Sequence, residues 1–174
     1  MDELVPFGSG AWLLGVALLG FGRAADLLTT WLATPDLAME GNPLVKKLGW
    51  RKGILLNVVL CAIIPLYPLG VVVGCTTSLL VAARNCQTAW AIRSAGEHTY
   101  AQSREDRLSA ASSGVFLTCV FGEATLLALV GGALVWTAGP ADVPLGIGLG
   151  ILGYAGAVAF FLTLSLWRNR HAAR

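Results

Sequence analysis

Apolar positions along the chain come in blocks of membrane-spanning length, separated by short polar or basic connections. The runs Gly53–Ala83 and Val115–Ala138 hold no lysine, arginine or aspartate, and Glu123 is their one charge. A helical bilayer crossing needs about 20 apolar residues. The pattern predicts an all-α fold, a polytopic membrane helical bundle forming one domain over residues 1–174. Five helical segments are expected, at 11–33, 54–65, 71–90, 115–137 and 145–167, with 91–110 as a polar cytoplasmic loop that can hold a short surface helix or an extension of a span.

The stretch 54–83 allows two readings. It can be one long kinked span, giving four conventional spans in all. Alternatively the chain turns at Pro65-Leu66-Tyr67-Pro68-Leu69-Gly70, because two prolines and a glycine interrupt a helix. Basic residues discriminate between the readings. With two helices here, eleven of the twelve fall on one side: four in the first loop, Arg84 with the three of the 91–114 stretch, and three at the C-terminus. The twelfth, Arg23, lies within the first span. A single span splits them seven and four. The positive-inside bias therefore favours five segments, with the N-terminus outside and the C-terminus inside. The six tryptophans, at 12, 31, 50, 90, 136 and 167, then all lie near span borders, where this residue is enriched.

Composition agrees. Charged residues are 13% of the chain, against about 25% in soluble domains. The net charge of +2 comes from loops and tail rather than one basic face, so nucleic acid is not an expected partner. Met1-Asp2-Glu3 is acidic and no small-residue cleavage pattern follows, so the first run is read as a retained span. Cys61, Cys75, Cys86 and Cys119 form no Cys-x-x-Cys pair and read as small packing residues. His98 and His171 lie outside the apolar runs, which argues against a span-buried bis-histidine haem site. Gly146-x-Gly148-x-Gly150 lacks the spacing and setting of a phosphate loop. No cofactor and no metal is assigned.

Two features carry the candidate chemistry. The first is a set of polar groups on the inner half of the spans: Arg23, Asp26 and Thr29 in the first, Asn57 in the second, Arg84 and Asn85 in the third, Glu123 in the fourth. The first loop can bring Glu40 and Asn42 beneath them. Ions in hydrocarbon need partners or water. Arg23 and Asp26, at i and i+3, can pair locally, and Arg84 can reach Asp26 or Glu123. Asn42 can cap a short helix with Pro43 in its first turn. The candidate ligand-binding residues are Asp26, Thr29, Glu40, Asn42, Asn57, Arg84, Asn85 and Glu123. The second feature is a small-residue face at Gly146, Gly150, Gly153 and Ala157, where another helix can pack closely.

Asp26-x-x-Thr29 followed by Glu40-x-Asn42-Pro43 resembles a family of small, uncharacterised prokaryotic membrane proteins. These are three-helix modules with an aspartate and threonine in the first helix and a Glu-x-Asn-Pro loop. The resemblance covers about residues 20–90. It implies that Asp26, Thr29, Glu40, Asn42 and Pro43 form a functional or architectural centre, that 54–90 is two helices, and that the host is a prokaryotic cytoplasmic membrane. The C-terminal pair of spans with Glu123 departs from it.

The leading expectation is a non-catalytic accessory or assembly subunit, or a binder of a small ligand or lipid, with a cytoplasm-facing polar cavity. Its partners would be membrane lipids and another protein or a second copy. A small transporter using Asp26 and Glu123 is the first alternative. A membrane-embedded enzyme on a lipid-linked substrate is the second, with Asp26 or Glu40 as general base. A divalent ion held by Asp26, Glu40 and Glu123 would belong to that reading.

Overall fold

The computed structural model describes residues 4–38, 43–139 and 143–172. It is all-α: α1 Gly10–Ala33, α2 Pro43–Ile63, a 3-10 turn at Ile64–Leu66, α3 Pro68–Ala95, α4 Glu97–Ala110, α5 Ser113–Thr137 and α6 Val143–Ala172. Five of these helices, all but α4, are long and apolar enough to cross a membrane. The chain is a multi-pass membrane helical bundle with five long apolar helices among the described residues, and the region 54–90 is two helices.

Local chemistry sets the boundaries. Ser9 caps α1 by accepting from the Trp12 amide at 3.2 Å. Pro35 follows Thr34 at its other end, and the residue before a proline avoids helical angles. The α2–α3 turn is built from the two prolines. Pro65 lies in the 3-10 turn and Pro68 opens α3, where its missing N–H has no helical partner to lose. The Val5 amide donates to the Leu66 carbonyl at 3.0 Å and the Trp12 indole to the Ala62 carbonyl at 3.1 Å. The N-terminal segment and the start of α1 thus close this turn. Gly49, with φ +68°, breaks the early turns of α2 from its span. That backbone conformation is costly for residues with a Cβ.

The connection 91–110 holds both an extension of a span and a short helix. α3 continues to Ala95, Gly96 turns the chain at φ +82°, and α4 follows. Asn169 and Arg170 of α6 hold α4 and its end, donating to Ser109 Oγ at 3.0 Å and to the Ala111 carbonyl at 3.1 Å. Leu108 is buried beneath it.

Packing runs in a series: α1 on α3, α3 on α6, α6 on α5, with α2 touching α1 lightly. Small residues make these approaches close. A Cβ on Gly22 would lie 3.2 Å from Cys75 Cα, and one on Gly150 2.7 Å from Thr76 Cβ. Gly131 and Gly148 meet face to face between α5 and α6. Gly146 and Gly150 thus pack against α3, whereas Gly153 meets nothing within 4 Å and Ala157 is half-buried. In lipid there is little hydrophobic drive between helices, so close van der Waals contact at such residues holds them together. Large apolar side chains such as Leu126, Leu129 and Trp136 face outward, as expected where the solvent is hydrocarbon.

Candidate functional site

α1, α2 and α3 each contribute polar side chains to one connected network. Arg23 is its hub. Its Nε donates to Asn57 Oδ1 at 2.5 Å, and its Nη1 donates to Ser78 Oγ at 3.1 Å and to Asp26 Oδ2 at 3.4 Å. Asp26 Oδ1 accepts from the Thr30 hydroxyl at 3.4 Å. Thr30 Oγ1 accepts in turn from Asn85 Nδ2 at 2.9 Å. Asn57 uses its other end locally, donating to the Gly53 carbonyl at 2.8 Å.

The electrostatic reason for the cluster is direct. An arginine at a span centre costs about 2.5–3.5 kcal/mol on insertion scales. Here the guanidinium has a carboxylate and two neutral oxygens as acceptors. Charged hydrogen bonds of this kind contribute about 1.5–3 kcal/mol each, enough to offset that cost. The Arg23 and Asp26 side chains are only 30% and 17% exposed. Ser78 is fully buried, so its hydroxyl is dedicated to this contact.

Thr29 lies on α1 but turns its hydroxyl back to the Ala25 carbonyl at 2.8 Å. It therefore shapes α1 rather than joining the network. Arg84 and Glu123 form a separate pair between α3 and α5, at 3.0 Å, with side chains 37% and 45% exposed. Arg84 pairs with Glu123, not with Asp26. Among the described residues Asp26 bonds within the Arg23 network and Glu123 with Arg84. Among the described residues no group of three or more histidine, cysteine, aspartate or glutamate side chains is placed to hold a metal. Glu40 and Asn42 lie outside the described residues.

A third cluster was not legible in the sequence. Glu97 accepts from the Thr34 hydroxyl, from the Ala38 amide at 2.7 Å and from the Asp36 amide at 3.0 Å. Burial alone would raise its pKa. The three hydrogen bonds and the neighbouring His98 outweigh burial and hold the carboxyl below its ordinary value. Arg93 donates to the Leu32 carbonyl at 2.6 Å, and Trp50 donates to the Pro35 carbonyl at 2.7 Å. These contacts fix residues 32–38, the near side of the first loop, against α3, α4 and α2.

No family model, curated protein or solved structure matches the chain.

Proposed function

We propose that the protein is a non-catalytic membrane protein that binds a small polar ligand or lipid headgroup through the Arg23–Asp26–Asn57–Asn85 network, in an accessory or assembly role. One observation carries this reading. α2 is the span with the least helix packing, yet it brings Asn57 to the guanidinium at the centre of the network. A helix held by a polar contact more than by packing is the side that parts most readily to admit a polar guest. The guest would replace Asn57 as the acceptor for Arg23, so the swap exchanges one hydrogen bond for another.

In this reading the α4 end faces the cytoplasm of a prokaryotic cell, with the N-terminus outside and the C-terminus inside. The basic residues of the first loop, α4 and the tail support that orientation. The resemblance over residues 20–90 supports treating α1–α3 as the functional unit, and implies that Glu40 and Asn42 belong to its motif. The α5–α6 pair would serve docking to a protein partner or second copy.

The test is ligand add-back. Delipidated wild-type protein is melted alone, then with polar lipids and with a cytosolic small-molecule fraction from its source cells. The expected result is a rise in Tm with one fraction, absent in Arg23→Gln and reduced in Asn57→Leu. A wild-type Tm that no fraction moves sinks the proposal.

A further inference from the structure

A guanidinium has five N–H donors, and Arg23 commits three of them: Nε to Asn57, and the Nη1 pair to Ser78 and Asp26. Among the described residues Nη2 has no partner, and it is not buried. The network therefore keeps an open donor edge. Its charge, by contrast, is already balanced. Arg23 and Asp26 cancel, and Asn57, Ser78, Thr30 and Asn85 are uncharged. Arg84, next to Asn85 in the chain, is paired with Glu123. The next cations on α2, Arg51 and Lys52, are exposed and more than one turn before Asn57, where headgroups and salt take up their charge. Depth matters as well. Arg23 is ten residues before the end of α1 and thirteen after its start, about 15 Å and 20 Å. It thus lies near the middle of a hydrocarbon core roughly 30 Å thick, away from the phosphate groups of the bilayer.

Building on the binding site proposed above, we propose that its guest is a neutral amphiphile, with an uncharged oxygen acceptor such as an amide or ketone carbonyl at its polar end and an apolar body. The acceptor it replaces is itself neutral, the amide oxygen of Asn57 at 2.5 Å. A carbonyl in its place leaves the balance of charge unchanged. A carboxylate or phosphate would give the cluster a net negative charge near the middle of the bilayer, and an ammonium would meet the guanidinium. Both carry a desolvation penalty that a carbonyl does not. The apolar body follows from the route. Ile54, Leu55, Leu56, Val58 and Val59 flank Asn57 on α2 and are exposed, so a guest that parts α2 from α1 arrives from the hydrocarbon.

Tm is measured for delipidated full-length protein in neutral micelles with three probes that share one hydrocarbon chain: oleamide, oleate and oleylamine. The pH is held at about 9, where the carboxylate and the ammonium are both charged. Oleamide at about 100 times its Kd is expected to raise the wild-type Tm by about 5–10 °C. Oleate and oleylamine should give less than half that rise. Arg23→Gln should lose the oleamide response. Asp26→Asn leaves the cluster with a net positive charge, so it should reverse the order and favour oleate over oleamide. A residue that only held the helices together would lower Tm without changing that order. A larger rise with oleate than with oleamide on the wild type, lost in Arg23→Gln, overturns the neutral guest and leaves the binding site standing. An oleamide response equal in wild type and Arg23→Gln, or an order that Asp26→Asn does not change, also overturns it. If no probe moves Tm, the neutral guest fails. A cell fraction that still raises Tm through Arg23 then keeps the site, and one that does not removes both.

Discussion

Adding one methyl group to α6 should have opposite effects three residues apart. At Gly150 the new Cβ would lie 2.7 Å from Thr76 Cβ, 3.0 Å from Thr76 Cγ2 and 3.0 Å from the Val73 carbonyl oxygen. Cβ and backbone atoms cannot swing aside, so α3 and α6 must separate. Overpacking of this kind costs about 1–3 kcal/mol. Separation also weakens the bond from Thr77 Oγ1 to the Gly150 carbonyl, 3.2 Å long, worth about 0.5–1.5 kcal/mol. Against this stands the helix preference for alanine over glycine, about 1 kcal/mol. The net expectation for Gly150→Ala is a loss of about 1–3 kcal/mol. At Gly153 no atom lies within 4 Å, so only the propensity gain remains and Gly153→Ala should be neutral or stabilising. Reversible unfolding in mixed micelles of mild detergent and SDS reads both. Equal losses at the two positions would refute the α3–α6 packing argued here.

Three further predictions bear on the polar clusters. Glu97→Ala removes the acceptor of three hydrogen bonds and should cost about 2–4 kcal/mol, with faster hydrogen exchange confined to residues 34–38. Because the folded Glu97 pKa lies below its ordinary value, its stabilisation is complete above the usual carboxylate range. It is lost as pH falls through the folded pKa; Glu97→Gln should flatten that part of the stability–pH curve. At the α3–α5 pair, Arg84→Leu or Glu123→Leu alone leaves an ion facing lipid, whereas the double variant does not. A double-mutant cycle by SDS unfolding should show a coupling of about 1 kcal/mol or more, and additive losses would contradict the pairing.

Much of the fold is readable from the residues because membrane spans are specified by coarse signals. Pro65 and Pro68 mark the α2–α3 turn, and the basic residues and tryptophans mark the same borders. The Arg23–Asp26 pair follows from helical spacing alone. Other features depend on tertiary neighbours. Ser78 resembles any serine in an apolar run, which would ordinarily bond back along its own helix. Only the α1–α3 packing brings it to Arg23. Gly153 shares a face with Gly146 and Gly150 by periodicity, but periodicity names a face and not what covers it. The stretch 91–110 has no apolar stripe, so its residues allow a surface helix without fixing one. It is helical because Gly96 lets the chain turn and the α6 tail pins α4. Glu97 looks like one more solvated acid there, and its role depends on a loop about sixty residues away.

A binding site at the Arg23 network leaves a direct physical trace. The most direct measurement is the mass of the particle gently extracted from its own membrane, compared between wild type and Arg23→Gln. A discrete added mass is expected on the wild type, from a lipid, a small molecule or a partner subunit, that the variant loses while remaining folded. Identical masses for the two, whether bare or loaded, would contradict it.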